Sequence, residues 1–561
     1  MSDFLEVIPL GGLGEFGMNC TAVRYGEEFF LIDCGLAFPR GDQGFELGIQ
    51  VIVPDFTFVR ANRGRLGGVV LTHGHEDHTG AISYLLQDLQ DQVVPLYGSA
   101  LTLALVAERL QERRLLSRVQ LHEVAARRMI DFGPLQVEPL HVTHSYPDSF
   151  CLVVHFPSGR IVWSGDFKFD QTPIDGKVSD LHRLAAYGED GVLALFSDST
   201  NSLNPGLAPS EFLVYEPLRD IFRRSTRRVI ASTFASSIHR IQIFFQLARE
   251  FDRLVCPVGR SMMTNIRIAR ELGYLQVPDG AILSSSEAAD LPPEKTLILA
   301  SGSQGEPMSA LSRLAVDQLK DLKVEDGDTV ILSTRIIPGN EMSIARLVNH
   351  LYRRGARVYD SSHSLVHVSG HGYRDDLKLL INLVKPKFFV PIHGEYRQLK
   401  THYWIAQDQG IPEDRCVLAE SGDVLRIGPN EASVVGRVQV GRRFIDEGAM
   451  EQVHEEVLRD RRFLAEDGFV VVILQIDRYT GRLIHPPEIL SRGFMQMEEE
   501  DLGNGLLCAT REKIVEIVQN TPIEEKQDEE LFNEILRKEL RKFLRKRTGK
   551  RPLVLTLVIE V

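Results

Sequence analysis

Apolar positions along the first 200 residues recur in short β-rich runs, and each run ends in a loop that carries glycine, aspartate or histidine. Such runs occur at 29–35, 66–78 and 159–167, and helical periodicity lies between some of them, as over 80–89 and 99–116. Strands that alternate with helices predict a layered α/β architecture. In such architectures function collects on the loops at strand ends, so we expect the chemistry of the chain there.

The pattern changes over residues 206–355. Helical periodicity dominates 211–224 and 239–250, and strand-like runs occupy 227–234 and 328–339. These elements predict a second α/β unit.

The strand-and-loop pattern of the first unit returns at 366–372 and 388–395, which indicates that the second unit is inserted into the first domain. After residue 450 the composition becomes more charged, and a strand at 469–477 precedes two helices and a closing strand. The predicted organisation has five segments: the first part of the first domain (1–205), an inserted α/β domain (206–355), the second part of the first domain (356–448), a linker (449–465) and a small C-terminal α+β domain (466–561).

Composition narrows the class of protein. The 561 residues are 43% hydrophobic and 25% charged, which is typical of a globular chain. The formal net charge of −13 argues mildly against a nucleic-acid partner, although it leaves room for a local basic channel. The six cysteines form no CxxC pair, which favours a reducing cytoplasm, and we expect neither a signal peptide nor a membrane-spanning segment.

The strongest chemical signal is the run HGHEDH at 73–78, which follows a predicted strand and precedes a predicted helix. Neutral imidazole and carboxylate are the usual ligands of zinc and its neighbours. The alternation lets His73 and His75 face one ion while Asp77 and His78 face another. The alternative is a polar turn with incidental histidines, which the specific spacing disfavours.

Three further candidate ligands lie where predicted strands end, namely His144, Asp166 and His393. Each alone is a weak signal, but their shared kind of location favours a common site. His141 competes with His144, and its earlier place in the run favours a buried structural role.

The run HGHEDHTG, with a downstream histidine, a Gly-Asp pair and a late histidine, resembles the metallo-β-lactamase superfamily. The resemblance implies an αββα sandwich that binds two divalent metal ions, most simply Zn²⁺, with Mn²⁺ or Mg²⁺ as alternatives that support activity. It implies a ligand set of His73, His75 and His144 for one ion, Asp77, His78 and His393 for the other, and Asp166 between them. Asp33 would orient the ligand turn through hydrogen bonds. Such ions activate water, which predicts a hydrolase but does not choose its substrate.

The inserted unit narrows the substrate. The runs SDSTN (197–201), HVSGHG (367–372) and PIHGE (391–395) resemble the three motifs of the β-CASP group, which processes nucleic acids. Their key residues are Asp198, His371 and His393. Further runs resemble the ribonuclease J family over most of the chain: ASTFASSIHR (231–240), ASGSQGEPMSALSR (300–313) and IPGNE (337–341).

This resemblance implies a ribonuclease with 5′→3′ exonuclease activity on 5′-monophosphate ends and additional endonuclease activity, in RNA maturation and decay, including rRNA processing. Its substrate would be single-stranded RNA, and its location the cytoplasm. A homodimer or homotetramer is implied, together with RNA-decay or ribosome-associated partners and no membrane association.

Phosphodiester cleavage must protonate a leaving oxygen, and a histidine held protonated by a carboxylate suits that task. We therefore nominate Asp198 and His371 as the catalytic pair, with Asp77 as a further catalytic residue. The alternative for Asp198 is a structural cap of the next helix.

Phosphate binding needs backbone amides and hydroxyls in a concave loop. The resemblance makes Ser369, Gly370 and His371 the phosphate pocket, and Ser301 and Ser303 lie in a second candidate loop.

Other polar residues are less decisive. His367 either contacts substrate or packs in the interior. Arg240, Arg313 and Arg335 either neutralise the RNA backbone or form surface ion pairs. The basic runs at 222–228 and 539–551 are interpreted as solvated helix faces, and the C-terminal domain is assigned to oligomer assembly.

Three rival interpretations remain open at this point. A hydrolase of small thioesters or lactams is disfavoured by the long insertion. A non-catalytic RNA-binding or scaffold subunit is disfavoured by the full set of ligand types. A DNA-cutting β-CASP nuclease belongs to the same class, and only an assay separates it from a ribonuclease.

Overall fold

The computed structural model of the protein describes the following residues: 4–39, 48–306, 308–337, 339–446, 451–453, 455–494 and 503–561. Parts of the predicted linker 449–465 lie outside these residues, as do Pro307 and Pro338 of the matched runs. The described residues form two compact units: the larger contains residues 4–39 and 50–443, and the smaller contains residues 48–49 and the described residues from 444 to 561. The domain boundaries predicted from the sequence stay predictions.

The first sheet of the larger unit contains eight strands. Their spatial order is Ala432–Arg437, Asp423–Ile427, Leu5–Gly11, Cys20–Tyr25, Glu28–Ile32, Leu66–Val70, Val94–Gly98 and Val119–Glu123. Pairing is antiparallel up to Glu28–Ile32 and parallel from that strand onward. The parallel strands Glu28–Ile32 and Leu66–Val70 therefore end at the same edge of the sheet.

The second sheet contains six strands. Their spatial order is Phe388–Ile392, Ala194–Asp198, Gly159–Trp163, Ser149–Phe156, Leu135–Val142 and Ile130–Phe132. The first three of these run parallel, and the remaining pairs are antiparallel. Since two successive antiparallel pairings restore the direction, Leu135–Val142 ends at the same edge as the parallel strands. Phe388–Ile392 reaches its place only after the whole insertion has been traversed.

These two sheets pack face to face through one apolar core. Phe30 and Val70 of the eight-stranded sheet meet Phe150, Trp163 and Phe196 of the six-stranded sheet. The outer face of the six-stranded sheet is covered by the helices Leu181–Asp190, Arg374–Val384 and Tyr396–Asp408. On the side of the eight-stranded sheet lie the helices Thr57–Ala61, Glu76–Thr79, Ile82–Asp88 and Ala100–Glu112. The predicted αββα sandwich is confirmed.

The insertion is a parallel sheet between two layers of helices. Its strands lie in the order Leu254–Val258, Thr296–Ala300, Val229–Ser232, Thr329–Leu332 and Arg357–Tyr359. Its helices are Tyr215–Arg224, Ile238–Glu250, Arg260–Glu271, Ser285–Asp290, Ala310–Ala315 and Glu341–Arg353. Strand residues alternate between two cores, with Val229 and Ala231 in one and Ile230 in the other, because side chains of a strand point to opposite faces.

Some element predictions were wrong in extent or kind. The predicted strand 328–339 ends at Leu332, and the next side chain, Ser333, donates a hydrogen bond to the Val366 carbonyl. The segment 366–372 contains no strand. The predicted helix 99–116 ends at Glu112, two residues before Arg114 adopts a left-handed backbone (φ 57°).

The smaller unit has a sheet in the order Glu488–Arg492, Phe469–Ile476 and Leu553–Glu560. Its helices are Glu455–Asp467, Gly503–Asn520, Ile523–Lys526 and Glu529–Thr548. The last helix buries Phe532, Leu536, Leu540 and Leu544, which recur every four residues and form one apolar stripe. The basic run that begins at 539 shares this helix, so its charges occupy the opposite face.

Three shorter pairings and strands complete the description. Leu13–Gly14 pairs in parallel with Gly394–Glu395, Arg442–Asp446 pairs with Glu451–Val453, and Val51–Pro54 is a further short strand. Within the described ranges, no helix combines the length and the apolar character that a bilayer span requires.

Candidate active site

Strand ends of both sheets deliver imidazoles and carboxylates to one edge of the sandwich. The ligand cluster, as we call it, consists of His73, His75, Asp77, His78, His144, Asp166 and His393. His73, His78, His144, Asp166 and His393 are buried, whereas His75 and Asp77 are partly exposed. The seven residues that the sequence predicted as metal ligands are thus brought together, although they lie as far apart in sequence as residues 73 and 393.

One group within the cluster contains three imidazoles and a carboxylate. His75 Nδ1 lies 2.9 Å from His73 Nε2 and 3.3 Å from His144 Nε2. Asp166 Oδ2 is 3.7 Å from His73 Nε2 and 4.0 Å from His144 Nε2. These atoms converge on one point at separations that suit the ligands of a single ion.

The second group shares Asp166 with the first. His78 Nε2 lies 3.2 Å from Asp166 Oδ2 and 3.6 Å from Asp77 Oδ2. His393 Nε2 is 3.6 Å from Asp77 Oδ2 and 3.6 Å from Asp166 Oδ1. Asp166 therefore presents its carboxylate to both groups, as a residue between two cations must.

Asp33 orients the turn that carries four of the ligands. Its carboxylate accepts hydrogen bonds from the Thr72 amide, the Thr72 hydroxyl and His78 Nδ1, each at 2.8 Å. The Thr72 hydroxyl also lies 3.1 Å from His73 Nδ1. Because the hydroxyl donates to Asp33, it accepts from His73 Nδ1–H. With Nδ1 of both imidazoles held in this way, Nε2 of each is the nitrogen that faces the cluster.

A threonine hydroxyl also lies between an aspartate and a histidine on the other side of the site. The Thr200 hydroxyl donates to Asp198 Oδ1 at 2.7 Å and accepts from His393 Nδ1–H at 2.7 Å. His144 Nδ1–H donates to the Gly370 carbonyl at 2.8 Å. Among the described residues, His393 Nε2 has no hydrogen-bond partner although it is buried. An unpaired buried nitrogen that points into a set of lone pairs fits a metal ligand.

Two residues of this edge adopt a left-handed backbone that is uncommon for residues other than glycine. Asp33 has φ 60° and His393 has φ 54°. Each stands immediately after a strand, where this conformation turns the side chain into the site. Such backbone strain persists where surrounding contacts hold the residue in place. Here Thr72 is bonded to Asp33, and Thr200 is bonded to His393.

Asp198 and His371 form an ion pair beside the cluster. His371 Nδ1–H donates to Asp198 Oδ2 at 2.7 Å, and His371 Nε2 lies 3.8 Å from Asp166 Oδ2. Asp198 is the last residue of its strand and is buried, whereas His371 is partly exposed. The exposed edge of the imidazole therefore faces the cluster and the solvent-accessible side of the site. Asp198 also accepts a hydrogen bond from the Thr200 amide at 2.9 Å, which is a contact within a turn. The next helical segment, Glu211–Val214, is capped by Ser210, so Asp198 does not cap it as the alternative interpretation predicted.

The histidines divide into two electrostatic classes. Burial lowers the pKa of His73 and His144 well below the usual range and that of His75 to about 4. Burial also opposes the charged forms of His78 and His393, but the neighbouring carboxylates, led by Asp166, together outweigh it and raise the pKa of both residues well above the usual range. The first three histidines are thus neutral and offer lone pairs. His78 and His393 lie in a negative electrostatic field that favours a positive charge.

The residues fit a pair of divalent cations. Burial raises the pKa of Asp166, but the neighbouring imidazoles, led by His393, lower it well below the usual range, so the carboxylate is ionised. Imidazole and carboxylate are suitable donors for zinc and similar ions, and divalent charge would satisfy the buried carboxylate. Both the convergence of the donors and the orphaned His393 nitrogen support this fit.

The predicted phosphate pocket lies against the cluster. The Asn201 amide donates to Ser369 Oγ at 2.8 Å and to the His371 carbonyl at 3.1 Å, and Ser369 Oγ accepts from the His371 amide at 3.2 Å. A Cβ on Gly370 would lie 2.7 Å from Ser145 Oγ and 2.8 Å from His144 Cε1, so only glycine allows this approach.

Other candidates lie apart from the cluster. Ser301 and Ser303 belong to a loop of the insertion in which the Ser301 amide donates to the Val258 carbonyl at 3.1 Å. Among the described contacts, none joins either serine to the ligand cluster. His141 Nε2 donates to the Lys177 carbonyl at 3.2 Å, outside the cluster. His367 is half-buried, and burial together with the charge of Arg240 lowers its pKa to about 3.

Several residues of the site were missed by the sequence analysis. The Asn19 amide donates to the Asp77 carbonyl at 3.0 Å and lies 3.1 Å from His78 Nε2. Thr72, Thr200 and Asn201 hold ligands or pocket residues in place. Amides and hydroxyls occur in many turns, so no spacing rule distinguishes these four. Their adjacency to motif residues is the one signal that the sequence offered.

Four family models match successive parts of the chain. They are described as Metallo-beta-lactamase superfamily (residues 13–205), Ribonuclease J, beta-CASP domain (226–351), Zn-dependent metallo-hydrolase RNA specificity domain (355–412) and Ribonuclease J C-terminal domain (456–561).

The chain is also similar to named proteins over nearly its whole length. It is 40% identical to Ribonuclease J of Thermus thermophilus, with 100% of this chain and 96% of that protein aligned. It is 41% identical to Ribonuclease J of Synechocystis sp. (91% and 79%) and 36% identical to Ribonuclease J2 of Bacillus subtilis (99% and 99%). A solved structure of an Enterococcus faecalis protein of unknown function matches with a TM-score of 0.54 at 16% identity, covering 75% of this chain and 100% of that one. That match supports the fold alone.

Proposed function

The chain belongs to the ribonuclease J family, and we propose that it degrades single-stranded RNA 5′→3′ from 5′-monophosphate ends, with additional endonucleolytic cleavage. It is a metal-dependent ribonuclease with a metallo-β-lactamase fold, a β-CASP insertion and a C-terminal domain. The direction, the end preference and the residue roles that follow are the proposal. The proposed chemistry rests chiefly on one observation, the Asp198–His371 ion pair beside the ligand cluster, and the direction and end preference rest on similarity to the family.

We assign His73, His75 and His144 to one cation and Asp77, His78 and His393 to the other, with Asp166 between them. The imidazole-rich donor set favours Zn²⁺ over Mg²⁺, which prefers oxygen ligands. When bound, the ions would supply an activated water and neutralise charge on the scissile phosphate. Among the assigned residues, Asp77 contributes the carboxylate on the more exposed side, which is why we count it among the catalytic residues.

His371 is the proposed general acid. Burial lowers its pKa, but the carboxylates of Asp198 and Asp166 together outweigh burial and raise it, which favours the protonated imidazolium. Its Nδ1–H is held by Asp198, and its Nε2–H faces the cluster and can transfer a proton to the leaving 3′-oxygen. Cleavage of that bond leaves the phosphate on the 5′ end of the remaining strand, which is the form that the next cycle would bind.

Ser369, Gly370 and His371 form the proposed pocket for the terminal phosphate. The pocket is fixed by Asn201, and its backbone is fixed by the contact of Gly370 with His144. Since His144 is an assigned metal ligand, the pocket and the cations share one rigid support. The distance from the terminal phosphate to the cleaved linkage would then be constant, as stepwise removal of nucleotides requires.

The test compares RNA that carries a 5′-monophosphate, a 5′-triphosphate or a 5′-hydroxyl with DNA of the same sequence, each labelled at the 3′ end. We expect nucleotides to be lost one at a time from the 5′ end, fastest with the 5′-monophosphate and not at all with DNA. Cleavage of DNA alone would refute the ribonuclease assignment. Equal rates on all three RNA ends would refute the end preference.

Two variants locate the chemistry. His78→Ala should abolish cleavage and reduce the bound metal measured by mass spectrometry, because it removes an assigned ligand. His141→Ala is the matched control, since His141 bonds to the Lys177 carbonyl outside the cluster and should leave rate and metal content unchanged. Asp198→Asn should lower kcat by about 10²-fold, because His371 loses its counter-charge. Both metals should stay bound, because the amide oxygen of asparagine can still accept from the Thr200 hydroxyl that holds His393.

The biological setting is proposed from the family. We propose a homodimer or homotetramer that acts in the cytoplasm in RNA maturation and decay, including rRNA processing, with RNA-decay or ribosome-associated partners. Similarity to Ribonuclease J proteins over nearly the whole chain supports this setting. Light scattering coupled to size-exclusion chromatography measures the oligomeric state directly.

A further inference from the structure

Three arginines of the insertion were candidates for contact with RNA, and the structure separates them. Arg240 is buried with 1% of its surface exposed. Its guanidinium donates to Glu211 Oε1 at 2.6 Å, to Ser333 Oγ at 2.6 Å and to the Val366 carbonyl at 2.7 Å. A side chain enclosed and bonded in this way cannot reach a polymer, so Arg240 is a structural residue.

Arg313 points elsewhere. It lies in the last turn of the helix Ala310–Ala315 and donates to the Gln318 carbonyl at 3.2 Å. A cation at the carboxyl end of a helix stabilises that end through the helix dipole. Among the described contacts, none places Arg313 near the phosphate pocket.

Arg335 differs from both. It is exposed, and among the described residues no carboxylate lies within ion-pair distance of its guanidinium. Its one described side-chain hydrogen bond runs from Nη1 to Asn201 Oδ1 at 3.0 Å. A guanidinium has five N–H donors, so most of them remain free for a ligand. An unbalanced cation held by a neutral amide is the arrangement of an anion site rather than of a structural ion pair.

Asn201 connects Arg335 to the phosphate pocket. While its Oδ1 accepts from Arg335, its Nδ2 donates to Ser369 Oγ and to the His371 carbonyl. One amide group therefore separates the free guanidinium from the hydroxyl of the pocket. A phosphate seated on Ser369 would present its outer oxygens towards Arg335, where a guanidinium can bind two of them.

The backbone of Arg335 is held from the other side by Gln304. This side chain is buried, and its Nε2 donates to the Arg335 carbonyl at 2.9 Å, while its Oε1 accepts from the Ile337 amide at 2.9 Å. The loop that carries the arginine is thus fixed before any ligand binds, which lowers the entropic cost of binding.

We propose that Arg335 binds the 5′-terminal phosphate of the RNA together with Ser369, and so provides much of the preference for 5′-monophosphate ends. The inference rests on the proposed function, because it names the residue that reads the end of the same substrate. It gives the insertion a specific task, since Arg335 is the part of the pocket that the first domain does not supply.

The test uses the metal-loaded full-length enzyme with Arg335→Gln, Arg335→Lys and the control Arg313→Gln, each first checked for an unchanged thermal unfolding midpoint. The kcat/KM is measured on RNA with a 5′-monophosphate and on the same RNA with a 5′-hydroxyl. Independently of catalysis, calorimetry measures the affinity of each protein for uridine 5′-monophosphate and for uridine.

We expect Arg335→Gln to lower kcat/KM for the 5′-monophosphate RNA by about tenfold and that for the 5′-hydroxyl RNA by less than about twofold, because the lost hydrogen bonds are charge-assisted. Its affinity for uridine 5′-monophosphate should fall by about the same factor, with that for uridine unchanged. Arg335→Lys should retain part of the effect, and Arg313→Gln should behave as the unmodified protein.

An equal loss on both RNA ends, an equal loss in Arg313→Gln, or full affinity of Arg335→Gln for the nucleotide would each overturn the inference. Failure of the proposed function is visible separately, since the unmodified protein would then show no preference between the two RNA ends.

Discussion

Two of the buried polar clusters in the larger unit differ in whether their polar groups are paired within the cluster. The ion cluster, formed by Lys168, Asp170, Glu211 and Arg240, contains two cations and two anions. Lys168 Nζ lies 3.6 Å from Asp170 and donates to the Pro209 carbonyl at 2.9 Å, and Asp170 accepts from the Glu211 amide at 2.9 Å. Every charge has a partner, so this cluster needs nothing from outside.

The ligand cluster is not balanced in this way. Imidazole nitrogens face one another at 2.9 and 3.3 Å, and the buried nitrogen of His393 has no described partner. Burying polar atoms that lack hydrogen-bond partners costs free energy. Such an arrangement is retained where a bound ligand supplies the missing interaction. A buried charge cluster therefore indicates function when its members leave convergent donor atoms unused, and structure when they satisfy one another.

The largest effect in a test of this comparison is expected from Asp166→Asn in the ligand cluster. We expect activity to fall by about 10³-fold or more and bound metal to fall from two ions to one or none, because the shared carboxylate is lost. In the presence of a chelator the variant should also unfold at lower urea than the unmodified protein, because His78 and His393 lose the counter-charge that raises their pKa. Asp175→Asn is the control outside the cluster. A metal content of two in Asp166→Asn would contradict the assignment.

The reciprocal change is Glu211→Gln in the ion cluster. Removing one partner leaves Arg240 buried without its counter-charge, which should destabilise the protein by about 3 kcal/mol. Urea unfolding with and without chelator should show the same loss, and metal content should not change. The matched control is Glu250→Gln, which disrupts the exposed ion pair with Arg219 and should cost about 1 kcal/mol or less. Equal losses of unfolding free energy in the two variants would show that the buried ion cluster stabilises the fold no more than an exposed ion pair does.

Acid titration sharpens the comparison with a third kind of buried imidazole. His402 is fully buried, bonds through Nδ1 to Ser199 Oγ at 3.0 Å, and has a pKa lowered to about 3 by burial. The unfolded chain titrates this residue near pH 6.5, so its stabilisation is complete above about pH 6.5 and is lost as pH falls towards 3.

Between pH 7 and pH 5 this residue should account for about 2 kcal/mol of lost stability. Urea unfolding of His402→Gln at both pH values should therefore show a pH dependence smaller by that amount. An unchanged dependence would show that His402 takes up its proton without unfolding.

The smallest expected effect concerns Asn19. Its amide holds the Asp77 carbonyl and lies against His78, so Asn19→Ala should weaken metal retention by about tenfold with little effect on folding. Competition with a coloured chelator measures this retention. If Asn19→Ala retained both ions as firmly as the unmodified protein does, the contacts of Asn19 would make no contribution to metal binding.

Part of this site could be predicted from sequence for a simple physical reason. The run at 73–78 places four ligands within one turn, so short-range geometry alone brings them together. The strand-and-loop pattern also predicted the layers of the fold, because side-chain alternation is a local property. The convergence of Asp166 and His393 on that turn is a tertiary property, and it was reached through family resemblance rather than through periodicity.

The remaining differences have equally local causes. The helix Arg260–Glu271 was not predicted, and it lies against the core of the insertion through Met262 and Ile266. The loop with Ser301 and Ser303 had the composition of a phosphate loop, but its hydrogen bonds lie within the insertion. Arg240 and Arg335 are indistinguishable in sequence, and only burial shows which of them balances Glu211 and which stays free.

The pairing of Phe388–Ile392 with Ala194–Asp198 sets the order in which the protein becomes active during synthesis. A chain that emerges from the ribosome contains the residues assigned to the first cation once Asp166 has appeared. The strand Ala194–Asp198 can then pair with Gly159–Trp163 on one edge, but its other edge has no partner until the insertion has been translated. One apolar core lies wholly within the insertion, so the insertion can begin to fold before the strand Phe388–Ile392 is made. If His393 is the ligand that we propose, a nascent fragment that ends before residue 393 contains an incomplete second metal site, because this residue is synthesised after the whole insertion.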